Sequence, residues 1–468
     1  MAEQKDIETA ITRFKESCGA YEKSDRYYRG DHDLKFATEK FKNVFGPLFR
    51  EFALNLCPAV VDALRDKLIL TEFGVEDGGD TGLPEAAWKI WQANRMGKRS
   101  GEVHKEAVKN GDSYVIVWPN PAGEVTIYPN RAATCTVIYD EETPGKVLWA
   151  AKHWRAADKR FRLNLYYTDR IEKYISKKTP GDRIEATASF YDKNFTGGNT
   201  AAAANVLPDA KDFVPIDDDI PVVRNPYGVV PVFHFANNSD IGMHGQSELS
   251  GAVPIQDALN KSVLDMLVAM EFASYRQRWA SGIEIEYNDD GDPIPPFTAG
   301  IEKLWTTENP EAKFGDFEAA NLEQFLKVKD GFRTDMACVT GTPIWYFMQA
   351  KGDFPSGEAL RKSETRFTNK VRDRQQSFGQ VWEDVMAFAL MIENKGKGVR
   401  LFAGWEDPSP LSEKEELENL MIKKDLGISD EQALMEAGYG DEDVKRMMAA
   451  NLAKRDAMVD SFNAGEDG

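Results

Sequence analysis

Cysteine is scarce in this 468-residue chain, with only Cys18, Cys57, Cys135 and Cys338. They lie too far apart for a zinc knuckle or a compact disulfide framework, which makes a reducing cytoplasm the simplest place of assembly. Histidine is almost as sparse. None of His32, His104, His153, His234 and His244 forms a His-x-x-x-His pair enclosing a glutamate, so neither a metal nor a cofactor is expected. A basic excess is also missing. The net charge is −19, which opposes tight nonspecific attachment to a polyphosphate, since such affinity comes from cations displacing condensed counterions. A surface past which nucleic acid slides is still compatible with that charge, because strong attachment at every phosphate would act as a brake. No run of about 18 uninterrupted apolar residues exists, so no membrane-spanning helix is expected. The acidic start Met1-Ala-Glu-Gln-Lys-Asp6 lacks the basic-then-apolar order of a secretion signal. The Gly-x-x-x-x-Gly-Lys-Ser/Thr phosphate cradle is absent, which disfavours a phosphate-loop ATPase.

What is present is material for sizeable cores. The chain is 42% hydrophobic and long enough for two to four domains. Ile7, Ile11, Phe14, Cys18, Tyr21 and Tyr28 predict an amphipathic helix ending near Gly30. A second helix is expected over Phe49 to Leu68, kinked or broken at Pro58, and a third from Pro84 to Lys109 with Asn110-Gly111 as its stop. The texture then turns to strands, at Ser113 to Trp118, Glu124 to Tyr128, Thr134 to Tyr139, Val147 to Trp154, Phe161 to Thr168 and Arg170 to Ser176. The alanine- and glycine-rich stretch 196–205 reads as a mobile surface loop.

Further on, a strand at Gly228-Val-Val-Pro-Val-Phe233 precedes a helix expected from Pro254 to Trp279, about 39 Å long. A small β excursion, a helix from Leu322 to Cys338, and an irregular connection through Gly341 to Asp353 follow. Ser356 can cap a helix running to Asn394, about 58 Å, which needs neighbours along its whole length. Two capping boxes, at Ser412 and Ser429, mark a helical tail with 15 acidic and 7 basic side chains over 411–468.

Catalytic patterns are weak. Gly245-Gln-Ser-Glu-Leu249 has Leu249 where a nucleophile elbow needs its second glycine, so Ser247 reads as a helix cap. Asp31 and Asp33 around His32, and the run Asp217 to Asp219, read as solvated loop charge. Asn288-Asp-Asp-Gly-Asp292 lacks the spacing of a calcium loop and suits a tight turn.

The order Gly228-Val-Val-Pro-Val-Phe233, Gly245-Gln-Ser-Glu-Leu249, Gln256-Asp-Ala-Leu-Asn260 resembles the portal proteins of long-tailed bacteriophages. So do Tyr27-Tyr-Arg-Gly-Asp-His32, Val60-Val-Asp62 through Lys67-Leu68, Asn110-Gly-Asp-Ser-Tyr-Val115, Thr340-Gly-Thr-Pro343 and Pro355-Ser-Gly-Glu-Ala-Leu360. The resemblance implies an α+β portal-like fold: a wing of N-terminal helices and antiparallel β structure over 1–250, and a first stem helix over 251–280. A clip would follow over 281–320, a second stem helix over 321–340, a channel loop over 341–355, a long wing helix and return segment over 356–410, and a helical crown over 411–468.

It further implies a non-enzymatic head-tail connector, a homododecameric ring at a capsid vertex that conducts DNA during viral genome packaging and ejection. The implied partners are duplex DNA, the terminase large subunit, a head-completion or adaptor protein, and capsid and scaffolding proteins, with no membrane involved. Location would be the virion, after assembly in the host cytoplasm. A ring repeats each inward cation into a belt of charge. On that basis Gln349 and Lys351 are channel candidates, with Lys327, Lys329 and Arg333 on the second stem helix. Trp345, Tyr346 and Phe347 are expected to brace the channel loop. The basic set Arg361, Lys362, Arg366, Lys370, Arg372 and Arg374 is expected to meet acidic groups of a neighbouring subunit rather than DNA. Alternatives are a soluble α/β hydrolase or nuclease, or another capsid or tail-connector protein.

Overall fold

The computed structural model describes residues 4–38, 43, 54–75, 82–158, 160–177, 207–217, 219–274, 278–283, 287–292, 309–316, 323–348, 357–396, 398–409, 413–425, 427–436 and 444–452. The chain separates into two compact units, Met1–Asp407 and Pro408–Gly468. The first holds helices α1 (Gln4–Arg29), α2 (Cys57–Arg65), α3 (Gly82–Ala93), α4 (Met96–Asn110), α5 (Ala252–Ser274), α6 (Glu323–Thr340) and α7 (Gly357–Ile392). Its strands are β1 (Leu70–Val75), β2 (Asp112–Pro119), β3 (Val125–Arg131), β4 (Cys135–Tyr139), β5 (Val147–Arg155), β6 (Phe161–Tyr166) and β7 (Arg170–Ser176). Beyond them come β8 (Phe213–Pro215), β9 (Val222–Arg224), β10 (Val232–Ala236), β11 (Arg278–Ser281), β12 (Lys313–Asp316) and β13 (Leu401–Trp405). The second unit holds α8 (Glu413–Asp425) and α9 (Asp430–Glu436). With helices beside antiparallel sheets, the fold is α+β.

Three apolar layers explain how these elements stack. The 3–4 spacing on α1 buries Ile7, Ala10, Ile11 and Phe14 against Trp149, Ala151, Phe161, Leu163 and Leu165 of a six-stranded sheet, ordered β4-β5-β6-β7-β8 with β9 also on β7. The other side of that sheet meets a three-stranded sheet, β10-β2-β3, through Cys135, Val137, Ala150, Tyr114, Ile116 and Val232. Period-2 alternation then sends Val115 and Val117 of β2 into the largest core, with α2, α3, α4 and α7. Because β2 is covered on both faces, six consecutive residues from Asp112 are buried. Trp91 of α3 meets Trp382 of α7 edge-on, with centroids 4.9 Å apart, and both are almost fully buried.

Several sequence expectations shift. Pro58 stands at the first helical positions, so it starts α2 at Cys57 instead of kinking a helix running from Phe49. Residues 49–53 lie outside the described residues. The expected single helix over 84–109 is two, because Arg95 takes a left-handed φ of 55° between α3 and α4. Trp279 is not helical: α5 ends at Ser274, and Trp279 pairs with Gly315 in the β11–β12 ribbon. Gly315 suits that place, since an added Cβ would come within 2.6 Å of the Trp279 ring. The long helix α7 has 36 residues, about 54 Å, and packs Phe367, Val371, Phe378, Trp382, Val385 and Phe388 into the main core. The alanine-rich stretch 196–205 lies outside the described residues. No described helix is long and apolar enough to cross a membrane.

Candidate functional site

Helix α5 is fixed at its N-terminal half by three buried polar side chains of one sequence motif. Gln256 Oε1 accepts from Leu56 N at 2.8 Å and its Nε2 donates to Leu54 O at 2.6 Å. Tyr27 donates its hydroxyl to Asp257 Oδ1 at 2.6 Å, with Lys35 Nζ 3.6 Å from Oδ2. Burial raises the Asp257 carboxyl from its ordinary range, against the pull of Tyr27 and Lys35. Asn260 Nδ2 stands 2.7 Å from His32 Nδ1. Burying an unpaired polar group costs about 1–3 kcal/mol, so the paired Gln256 and Asp257 fix the root of α5 on α1 and on the chain entering α2.

Beyond Leu264 the side chains of α5 become half-exposed, and Met270 is 45% exposed. Its packing partner α6 shows the mirrored gradient: Met336 and Thr340 are buried at its C-terminal end, whereas Leu326, Lys327 and Val328 are exposed near its start. Two paired helices are thus rooted in the body at one end and reach solvent at the end from which residues 275–322 continue.

The sequence-predicted cations divide on this rod. At 100° per residue Lys329 and Arg333 share one face of α6 and Lys327 lies roughly opposite. Lys329 and Arg333 are half-buried on the side of Met336 and Thr340, and Lys327 is exposed. Lys327 pairs with Glu323 at 3.1 Å and Arg333 with Asp330 at 3.3 Å. Helix α6 carries three acids and three bases, so it presents no net positive field. Gln349 and Lys351 lie outside the described residues.

After α6 the chain turns through Gly341, at φ 66°, into a short 3-10 turn, Ile344–Tyr346. Phe347 is buried in the main core and Tyr346 lies 6.0 Å from the Phe367 ring of α7, while Trp345 is half-buried. The segment entering residues 349–355 is thereby held by aromatic packing on the root of α7.

Sequence reasoning missed the role of Glu248. One of its oxygens meets Lys370 Nζ at 2.6 Å and the other meets Arg374 Nη2 at 3.3 Å, so part of the basic set of α7 is neutralised within the chain. Arg374 Nε also donates to Asn237 Oδ1 at 2.7 Å, and Arg372 lies 3.3 Å from Asp407. Ser247, the residue a hydrolase would need, donates to Lys109 O at 2.5 Å and accepts from Leu249 N at 3.1 Å; since α5 starts only at Ala252, it closes a turn before the helix rather than capping it as the sequence suggested. Asp31 and Asp33 are held by Arg26 at 3.2 and 2.6 Å, and Asp219 by Lys173 at 2.5 Å. In the 288–292 stretch Asn288 Oδ1 accepts from Asp290 N and Asp292 N, which makes it a turn.

A family model described as phage portal protein, SPP1 Gp6-like, matches residues 7–458. The portal protein of Mycobacterium phage D29 is 25% identical over 364 residues, covering 75% of this chain and 68% of that protein. That of Mycobacterium phage L5 is 28% identical over 371 residues, with the same shares. Among solved structures, a chain in the neck of an empty GTA particle computed with C6 symmetry aligns with a TM-score of 0.45 and 11% identity, covering 86% of this chain and 95% of that one. A chain in the neck of a native GTA particle computed with C12 symmetry gives 0.43 and 11%, over 87% and 95%. Since the family match spans nearly the whole sequence, the chain belongs to the SPP1 Gp6-like family of phage portal proteins.

Proposed function

We propose that the chain closes side by side with eleven copies into a ring at one capsid vertex, which conducts duplex DNA inward during packaging and outward during ejection. The observation that carries this reading is the rooted, outward-reaching pair α5 and α6, whose solvent-facing ends need neighbours. A monomer leaves Leu326, Val328 and Val339 of α6 exposed, and repeated rods packed around an axis would cover them. The net charge of −19 suits a conduit that does not grip, with positive charge confined to a few inward cations. Gln349, Lys351 and Lys327 are the residues assigned to transient phosphate contact. Lys329 and Arg333 are assigned a secondary role because each is largely covered within the chain.

The ring would dock the terminase large subunit during filling and a head-completion or adaptor protein afterwards, after assembly in the host cytoplasm with capsid and scaffolding proteins. The chemistry of packaging is left to the motor, and no intrinsic nuclease or ATPase activity is expected. Electron microscopy and native mass measurement of the purified protein test the reading. Rings with an axial hole wide enough for a duplex support it, and a compact monomer overturns it.

A further inference from the structure

Where the three- and six-stranded sheets meet, Asp112 at the start of β2, His234 of β10 and His244 in the turn that follows converge. Their ligand atoms all lie within 4.8 Å of one another. Asp112 Oδ1 is 2.7 Å from His234 Nε2 and 3.6 Å from His244 Nδ1. We propose that these three side chains form a binding site for a zinc-class transition-metal ion that ties the turn after β10 to the start of β2.

The separations suit the ion. Zinc bonds of about 2.0–2.2 Å to nitrogen and oxygen in a tetrahedral shell place neighbouring donor atoms about 3.3 Å apart, between the two distances observed. Side-chain movements on the order of half an ångström bring both to that value, and the two histidine nitrogens lie within 4.8 Å of each other.

The surroundings are those of ligands held from behind. Tyr21 donates its hydroxyl to Asp112 Oδ2 at 2.6 Å, which fixes the carboxylate plane and leaves Oδ1 directed at the histidines. Gly245 N donates to that same Oδ1 at 2.8 Å. Tyr139 of β4, from the other sheet, stands with its hydroxyl 2.6 Å from His234 Nδ1. With the metal on Nε2, the single proton of the neutral imidazole sits on Nδ1 and is donated to Tyr139 Oη, the usual arrangement behind a metal-bound histidine. Without it, Nε2–H donates to Asp112 and Tyr139 donates to Nδ1. Tyr114 stacks on His234 with centroids 4.6 Å apart and holds the ring plane, and its hydroxyl lies 3.4 Å from His244 Nδ1. His244 is half-buried, so an ion can enter from its side and complete its shell with water.

Linear spacing hid the site: positions 112, 234 and 244 match no metal motif, and only the pairing of β10 with β2, His234 opposite Tyr114, brings them together. This inference does not depend on ring assembly.

The test is a titration of chelator-stripped, full-length protein with Co²⁺ as optical probe and Zn²⁺ by calorimetry. About one ion per chain is expected, with the visible absorption of four-coordinate Co²⁺ and its displacement by Zn²⁺. His244→Ala and Tyr139→Phe should each weaken binding by about tenfold or more while the far-UV circular dichroism is unchanged. Absence of saturable uptake by the unaltered protein overturns the proposal, and so does uptake that both variants leave unchanged. Should His244→Ala not fold, Tyr139→Phe decides alone, and undiminished affinity in it overturns the site.

Discussion

Glu248 and Arg374, 126 residues apart, meet at 3.3 Å with both side chains almost withdrawn from solvent, and Lys370 takes the remaining carboxylate oxygen. This joint ties the turn after β10 to the middle of α7. Removing one member of a buried pair strands the others. Glu248→Ala should therefore destabilise the protein by about 3 kcal/mol, and Glu248→Ala combined with Lys370→Met and Arg374→Met should recover most of that loss. Denaturant midpoints of the two variants check it.

Gly245 approaches the backbone of two neighbouring segments. A Cβ there would stand 2.0 Å from Gly111 O and 2.5 Å from Asn237 N, atoms that cannot rotate away. Gly245→Ala is expected to cost about 3 kcal/mol, at the upper end for overpacking, or to yield insoluble protein. Gly123→Ala, in open space though at a φ of 85°, should cost about 1 kcal/mol. Thermal melting of the two variants separates steric from conformational cost.

His104 is fully buried. It donates through Nδ1 to Leu68 O at 3.2 Å and accepts at Nε2 from Trp382 Nε1 at 2.8 Å. Burial lowers its pKa to about 3, and that of His153 to about 4. A proton must therefore be forced onto each ring in the folded state, whereas the unfolded chain accepts one near 6.5. The stability these neutral rings confer is complete above about 6.5 and falls as pH drops from there toward 3–4, by up to about 1.4 kcal/mol per pH unit for each ring. Denaturant unfolding at pH 7 and pH 5 should show the loss, and His104→Gln should show a shallower one.

Charge reversal on α6 should sort its cations by face. Lys327→Glu, on the exposed side, should impair genome packaging or retention while leaving melting within about 0.5 kcal/mol of the parent. Arg333→Glu, half-buried beside Asp330, should lower stability first. Lys351→Glu should likewise impair packaging more than folding. Packaging unchanged by Lys327→Glu and Lys351→Glu removes both from the contact set.

The periodicities made the rods legible. Apolar steps on α1 and α7 gave their buried faces because one stripe against one core leaves little freedom in the answer. The strands β2 to β7 read well for the same reason, alternation over a covered sheet. Boundaries governed by single residues did not: Arg95 carries no signature of its left-handed turn, and Trp279 suits a helix as well as a strand until its partner Gly315 is known. Of the site, the Gln256, Asp257 and Asn260 motif was visible as a pattern, yet its role as a buried root needed Tyr27 and His32 from the far N-terminus. Which cation of α6 faces outward was hidden because amphipathic phase depends on what packs against the helix.

The pairing of β1 with β13 joins Leu70–Val75 to Leu401–Trp405 in an isolated two-stranded ribbon. During synthesis, β1 therefore waits for its partner until roughly 330 further residues have left the ribosome, an unpaired strand edge for most of translation. Its companions α2 and α3 must shelter it in the meantime. Closure of this ribbon is then a late event in folding, and a chain truncated before Leu401 leaves the edge of β1 open.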